Sequence, residues 1–192
     1  MAVNPKHVRG MTLVELVVGL SIAGILIAIA APNLRESIQN NRMVTQINDL
    51  HTALSLARAE AVKRRNNVSV CKSSDGASCS GNWKDGWIIF VDTDHDGSVD
   101  GEEVVRAYEG VPTGSNLLFS QTHVIYANKG NARSGTNGTF TLCDSRGAVH
   151  AMGLVVGPSG RPRLAVDIDE NGTLNGADEL DLVCASGEVD SQ

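Results

Sequence analysis

The chain is short of basic residues and of aromatic residues. Lysine and arginine number 16 against 22 aspartates and glutamates, which gives a formal net charge of −6 at pH 7. Phenylalanine, tryptophan and tyrosine together make up only 4% of the 192 residues. An acidic chain is a poor general binder of polyanions, so any contact with nucleic acid would depend on a local basic patch.

The sequence also lacks the motifs that mark common enzyme and metal sites. It contains no Cys-x-x-Cys pair, no His-Glu-x-x-His pair and no glycine-rich phosphate loop. The segment Gly157-Pro158-Ser159-Gly160 does not fit the frame of a hydrolase nucleophile elbow. We therefore predict that the protein is not an enzyme, and that these histidines are surface or packing residues: His51, His95, His123 and His150.

Charge is almost absent between Met11 and Ala31, where Glu15 is the only charged residue. A helix of this length measures about 31 Å at 1.5 Å per residue, which is enough to cross the hydrocarbon core of a bilayer. Lys6 and Arg9 precede the run, so the N-terminus is expected to stay cytoplasmic while the rest of the chain crosses. A lone carboxylate in such a helix is costly and therefore indicates a function.

Two interpretations of this apolar run compete. An ordinary secretory signal peptide would end at the small-x-small site Ala28-Ile29-Ala30. However, Glu15 lies where such a signal is uncharged, and the run is longer than a signal peptide needs. The stretch Arg9-Gly10-Met11-Thr12-Leu13-Val14-Glu15, with the apolar helix behind it, instead resembles the class III signal of type IV pilins and type II secretion pseudopilins.

This resemblance implies that a prepilin peptidase cuts the chain between Gly10 and Met11 and that Met11 is then N-methylated. Met11 stands where the family usually has phenylalanine. Glu15 would become the fifth residue of the mature chain, where its carboxylate can pair with the α-amino group of Met11 in a neighbouring subunit. The expected partners are other pilins or pseudopilins, the prepilin peptidase and an inner-membrane assembly platform.

All four cysteines follow the apolar run, at Cys71, Cys79, Cys143 and Cys184. An even number on the translocated side of a membrane favours disulfides in an oxidising compartment, and three pairings are possible. Cys71 and Cys79 flank a loop of small and polar residues that a local bond would close, which leaves Cys143 to pair with Cys184. Zinc is the alternative, and the lack of a Cys-x-x-Cys pair weighs against it.

Apolar residues recur at helical spacing from about Asn33 to Arg65, after Pro32, which is expected to kink or interrupt the helix. The stripe predicts a helical half that lays one face on a globular domain. Its members are Leu34, Ile38, Val44, Ile47, Leu54, Ala57 and Ala61.

Short β-like runs follow Asn67 and alternate with glycine, asparagine, aspartate and serine. The candidate strands are Val68–Cys71, Trp87–Val91, Val104–Tyr108, Val124–Ala127, Thr139–Cys143, Gly153–Val156, Arg163–Val166 and Leu180–Val183. One long helix followed by strands predicts an α+β fold in which the helix packs on antiparallel sheet.

Three segments of the globular part carry a second resemblance. They are Ala57-Arg58-Ala59-Glu60-Ala61, the segment Gly86–Asp92 with Glu103 and Arg106 beyond it, and Gly160–Leu164 with Cys184 near the end. Together they resemble the minor pseudopilins of the GspH/FimT family. This resemblance implies a pilin-like fold and a subunit at the tip of a pilus or pseudopilus, and it leaves open which machine the subunit serves.

Two Asp/Gly-rich stretches have the spacing of a calcium loop. The first offers Asp92, Asp94, Asp96 and, at the twelfth position, Glu103. The second repeats the spacing from Asp167 to Asp178. Because the flanks are predicted strands rather than helices, a simple Asp/Gly turn without metal is the alternative for both.

Gly160-Arg161-Pro162-Arg163 is a local basic element in this acidic chain. Two arginines held apart by a proline can contact successive phosphates, and Arg133 and Arg146 are candidates to join them in space. Family members that act in natural transformation are similar here and bind DNA at such a Gly-Arg-x-Arg stretch. The alternative is a turn with solvated arginines, which the acidic stretch at 167–178 favours.

These features predict the following division of the chain: a leader at 1–10, a transmembrane and assembly helix at 11–32, an amphipathic helical half at 33–66 and a periplasmic β-rich domain at 67–192. The expected function is that of a single-pass inner-membrane minor pilin that assembles into the tip of a type IV pilus, with DNA uptake as a further possibility. A pseudopilin of type II secretion is the alternative.

Overall fold

The computed structural model of the chain describes residues 11–101 and 103–184. The chain divides between Arg42 and Met43 into two compact units. One helix, α1 (Leu13–Arg64), is followed by eight strands: β1 (Val68–Lys72), β2 (Gly86–Val91), β3 (Val104–Glu109), β4 (Ser115–Leu118), β5 (His123–Tyr126), β6 (Gly138–Asp144), β7 (Met152–Val156) and β8 (Pro162–Leu164). Short 3-10 helices lie at Trp83–Asp85 and Ala148–His150.

The N-terminal unit presents its apolar side chains to the outside. Between Leu13 and Leu34 the large apolar residues of α1 are exposed, as in Leu13 at 77% and Ile27 at 66%. The helix has an 18-residue window of mean hydropathy 2.6, so it is long and apolar enough to cross a membrane. Of the two effects predicted for Pro32, an interruption is wrong, because α1 continues through it, and a kink stays a prediction. A proline removes a single helical hydrogen bond, and the bonds of the adjacent turns keep the helix continuous.

The second half of α1 carries the buried stripe, which is shorter than predicted. Its buried members are Met43, Ile47, Leu50, Ala53, Leu54, Ala57 and Ala61, at spacings of three and four residues. Leu34, Ile38 and Val44 are exposed at 63%, 43% and 45%, which corrects their predicted place in that stripe. Leu34 and Ile38 are exposed because they precede the unit that begins at Met43. Val44 lies within that unit, but on the exposed side of the helix next to the buried Met43.

The strands form two four-stranded antiparallel sheets. Sheet 1 has the order β3-β2-β1-β5, and sheet 2 has the order β4-β6-β7-β8. The inner faces of both sheets and the buried stripe of α1 share one core, to which the sheets contribute Val70, Ile89, Val124, Tyr126, Phe140, Leu142, Leu154 and Val156. Trp83 meets Phe140 edge to face in this core, with ring centroids 4.9 Å apart. The predicted α+β fold is therefore confirmed.

Each sheet also has an outer face that a loop covers. On sheet 1, Cys71, Ile88 and Phe90 form a small apolar cluster with Cys79 and Val99 from the loops. On sheet 2, a second cluster comprises Cys143, Ala151, Val155, Ala165, Leu182, Leu174 and Cys184. Neither outer cluster belongs to the helix-packed core.

One strand was missed, and two of the predicted strands need correction. β4 was not predicted, because Ser-Asn-Leu-Leu carries little β-branched or aromatic signal. The predicted strand Arg163–Val166 is observed as Pro162–Leu164, with Val166 in an isolated bridge to Asn175. The segment Leu180–Val183 is not a strand, although Asp181 forms an isolated bridge with Asn175 and Leu182 packs in the outer cluster of sheet 2.

Candidate functional site

Glu15 lies in the first turn of α1 and is tied to the residue that precedes the helix. Its Oε2 accepts hydrogen bonds from the backbone N–H and the Oγ1 hydroxyl of Thr12, both at 3.1 Å. The backbone N–H of Glu15 donates back to Thr12 Oγ1 at 3.2 Å, which completes a capping box. Met11 is 74% exposed beside this turn, and Gly10 lies outside the described residues.

This capping fixes the carboxylate at the positive end of the helix. The unsatisfied N–H groups of a first turn favour a negative charge there. Glu15 is thus held in one place, one helical turn from Met11, rather than free at the end of a flexible side chain. Such a position suits a carboxylate that receives a cation from a neighbouring molecule.

The loop after β2 brings together Asp92, Asp94 and Asp96, each of which offers one carboxylate oxygen within 4.8 Å of those of the other two. Asp92 is buried, and it accepts hydrogen bonds from the backbone N–H of His95 at 2.8 Å and from the hydroxyl of Ser69. Asp94 and Asp96 are exposed. Clustered carboxylate oxygens are the ligands that calcium prefers, so the arrangement is chemically compatible with a hard cation.

Glu103, the predicted fourth ligand, has another partner. Its two carboxylate oxygens accept bonds from Arg64 Nη1 and Nη2 at 2.8 and 3.0 Å, and these bonds hold the pKa of Glu103 below its usual range. Arg64 also donates from Nε to Glu60 at 2.7 Å. The structure therefore places Glu103 in an ion-pair network at the end of α1 instead of beside the three aspartates. As the sequence indicated, the loop connects strands rather than helices.

The second Asp/Gly loop is bonded partly within itself and partly to its surroundings, and Asp167 Oδ1 is buried without a hydrogen-bond partner. Asp167 Oδ2 accepts the backbone N–H of Gly172 at 2.9 Å. The amide of Asn171 donates to the carboxylates of Asp169 at 2.9 Å and Asp181 at 3.0 Å. Asp178, the last residue of the predicted loop, accepts the N–H of Leu180 at 3.3 Å. These contacts match an Asp/Gly turn.

Arg161 and Arg163 are exposed at the edge strand β8 of sheet 2. Gly160 has a φ of 71° and lies against the 130–132 loop, where a Cβ would come within 2.2 Å of the Gly130 carbonyl oxygen. Only glycine allows this approach, so the turn brings Arg161 close to the loop that leads to the exposed Arg133.

Arg58 of α1 also belongs to this region, which no local sequence pattern indicates. Its Nε donates to the Gly130 carbonyl oxygen at 2.7 Å across 72 residues of chain. Arg146, in contrast, pairs with Asp144, whose Oδ2 lies 2.7 Å from its Nη2. Burial raises the pKa of Asp144, but the bonds from Arg146 outweigh this effect and leave it below the ordinary value.

The structure contains the disulfides Cys71–Cys79 and Cys143–Cys184, with Cα atoms 5.6 and 5.9 Å apart. This is the pairing that the sequence favoured. The two bonds lie on different sheets, one at each outer cluster.

Comparisons with known proteins bear on both parts of the chain. The family model described as type II transport protein GspH matches residues 46–160, and that of the prokaryotic N-terminal methylation motif matches residues 5–31. No curated protein matches the chain.

Two crystal structures of the type IV minor pilin FimU from Pseudomonas aeruginosa (strain PAO1) are similar in fold. The one in space group P21 has 23% identity and a TM-score of 0.53, and the match covers 67% of this chain and 91% of that chain. The one in space group P65 has 24% identity and a TM-score of 0.49, with coverages of 62% and 89%. The family model matches more than half of the chain, so the chain belongs to the GspH family of pilin-like subunits. Members of this family assemble with other pilins and are not enzymes.

Proposed function

We propose that this subunit is a minor pilin of a type IV pilus. In this proposal it is inserted in the inner membrane, cut by a prepilin peptidase between Gly10 and Met11, N-methylated on Met11, and incorporated at the pilus tip through an assembly platform. Its globular domain lies in the periplasm before assembly. The fold likeness to FimU, which is described as a type IV minor pilin, favours the pilus. The description of the matching family model, type II transport protein, supports a secretion pseudopilus as the alternative.

The observation that carries the proposal is the capped carboxylate at the start of an exposed apolar helix. An ionised Glu15 packed among apolar helices is costly unless it meets a cation. Cleavage after Gly10 would create such a cation, the α-amino group of Met11, on every subunit. Because Thr12 holds the carboxylate in place, the pairing selects one axial position for each incoming helix.

The experiment compares Glu15→Ala with Glu36→Ala, an exposed glutamate of the same helix beyond the apolar run. Full-length chains are expressed with the prepilin peptidase and the partner pilins, and sheared filaments are blotted for the subunit. Glu15→Ala should be cleaved normally and be depleted from filaments, while Glu36→Ala should match the unmodified chain. Normal incorporation of Glu15→Ala would contradict the proposal.

A gene deletion separates the two machines. Loss of surface pili with unchanged protein secretion supports the pilus assignment. Loss of secretion with normal pili supports a type II pseudopilin instead.

DNA binding is a second candidate function, and one observation favours it. Arg161 and Arg163 are both exposed, and the preceding Gly160 packs on the 130–132 loop, to which Arg58 of α1 donates a hydrogen bond and which Arg133 follows. A guanidinium donates two bonds to a phosphate at once, and such contacts need no base sequence. Because few phosphates are neutralised, the affinity should be weak and should fall with salt on a shallow slope.

The test is a gel shift with the full chain in detergent across a salt series. Replacing Arg161 and Arg163 by glutamine should abolish the shift. The matched control replaces Arg35 and Arg42, two exposed arginines of α1, which removes the same charge elsewhere. An equal shift for both double variants, or no shift at low salt for the unmodified chain, would remove this candidate.

A further inference from the structure

The two acidic loops share one backbone design, although they lie on different sheets. We number each loop from its first aspartate, Asp92 or Asp167. Residues 4 and 6 then have positive φ in both loops. The values are 73° and 75° for His95 and Gly97, and 59° and 89° for Glu170 and Gly172. In both loops the side-chain oxygen of residue 5 accepts a hydrogen bond from the backbone N–H of residue 7. Ser98 donates to Asp96 at 2.7 Å, and Thr173 donates to Asn171 at 2.8 Å.

Residue 8 is apolar in both loops and packs beside a disulfide. Val99 joins the outer cluster of sheet 1, which contains Cys71 and Cys79. Leu174 joins the outer cluster of sheet 2 with Cys143 and Cys184. Each loop therefore sets its apolar residue in the outer cluster that contains its own disulfide.

The middle of the first loop also touches the disulfide through its backbone. Cys79 Sγ lies 3.4 Å from the Gly97 carbonyl oxygen. On its other side Gly97 lies against the ring of His123, where a Cβ would come within 2.5 Å of Nδ1. The two ends of the loop are fixed differently, by Asp92 on Ser69 and by Glu103 on Arg64. In the middle of the loop, Asn67 Nδ2 lies 3.1 Å from His95 Nε2. The disulfide and His123 add contacts two residues further on, at Gly97.

From these contacts we propose that each disulfide is the anchor of one acidic loop. Cys71–Cys79 holds residues 92–101, and Cys143–Cys184 holds residues 167–178, on the outer face of its own sheet. The core between α1 and the inner faces includes none of the four cysteines, so it does not depend on either bond. Breaking one disulfide frees its own loop and leaves the other loop and the core ordered.

Amide hydrogen exchange of the full-length protein in detergent, followed by mass spectrometry, tests this assignment. One variant carries Cys71→Ala with Cys79→Ala, and the other carries Cys143→Ala with Cys184→Ala. In the first, exchange in peptides from 92–101 should accelerate by about tenfold or more, because the loop opens locally, while 167–178 keeps its rate. The second variant should show the reverse. Amides of α1 from Met43 to Arg64 should be unchanged in both.

A second pair of variants leaves the disulfides intact, in case a cysteine variant does not fold. Val99→Ser and Leu174→Ser remove only the apolar contact, and each should accelerate exchange in its own loop. Val149→Ser, at a residue that is 67% exposed, is the control and should change neither loop. The proposal is overturned if each variant accelerates both loops and the core together, or if the loops keep their rates in all four.

Discussion

Glu60 is a nearly buried carboxylate at the end of α1, and two neighbouring cations stabilise its ionised form. It accepts bonds from Arg64 Nε at 2.7 Å and Lys63 Nζ at 3.0 Å, and Arg64 continues to Glu103. The hydrogen bonds from Arg64 and then Lys63 lower the pKa of Glu60. The network fastens the helix end to the strand that follows the first acidic loop.

We predict that Glu60→Gln weakens the pH dependence of stability. Because the folded chain holds the Glu60 pKa below that of the unfolded chain, the stabilisation is complete above the ordinary value of about 4.3. It is lost as the pH falls through the lower folded value. Urea unfolding at pH 7, 5, 4 and 3 should therefore show a smaller acid loss for Glu60→Gln, with Glu36→Gln as the control. Equal pH profiles for Glu60→Gln and the unmodified chain would contradict this account.

The cation site at Asp92, Asp94 and Asp96 stays a prediction, with Glu103 engaged by Arg64. If calcium binds there, it stabilises only the folded state, by about 2.7 kcal/mol at a hundred times its dissociation constant. Chelator should then lower the melting temperature of the chain relative to millimolar calcium. Asp94→Asn with Asp96→Asn should remove that difference. If the unmodified chain melts at the same temperature in both buffers, the loop is an Asp/Gly turn without calcium.

Among the elements, α1 shows the clearest division between a packed and an unpacked face. We predict that Leu54→Ala, at a residue with no exposed surface, lowers the free energy of unfolding by about 2–5 kcal/mol. Leu34→Ala, on the same helix at 63% exposure, should change it by less than about 0.5 kcal/mol. Denaturant unfolding monitored by circular dichroism measures both. Similar losses for the two variants would show that the buried stripe reaches further than Met43.

The elements that the sequence predicted are those whose signal is local. Helical periodicity located α1, and β-branched and aromatic runs located strands such as Gly86–Val91. The missed strand Ser115–Leu118 depends on its antiparallel partner β6 rather than on its own composition. Leu180–Val183 alternates like a strand, but it faces the second acidic loop and ends at a disulfide.

The candidate site could also be predicted only in part, because only its local features leave a sequence signal. Glu15 and the aspartate spacing can be recognised from residues close in sequence, and the cysteine pairing from the number and spacing of the cysteines. The bond between Arg58 and Gly130 spans 72 residues, and that between Arg64 and Glu103 spans 39. Such contacts arise only when the sheets close on the helix, so no local pattern indicates them.

The whole molecule combines an exposed apolar helix with a folded globular unit, and processing decides whether the two stay joined. A signal peptidase cut after Ala30 would remove the apolar run and leave the globular unit without an anchor. In the structure Ala28–Ala30 lies inside the continuous helix α1, not in an extended segment where a protease would bind it. Met11, in contrast, precedes the helix.

We therefore predict that the mature chain begins at Met11 and carries an N-methyl group. Mass spectrometry of protein purified from cells that contain the prepilin peptidase should show the loss of residues 1–10 and the added methyl mass. Gly10→Lys, which puts a long charged side chain at the cleavage point, should leave the full-length chain in the membrane. An N-terminus at Ala31 would instead identify an ordinary signal peptide. In that case Glu15 would be removed before any assembly, and its capping by Thr12 would have no role in the pilus.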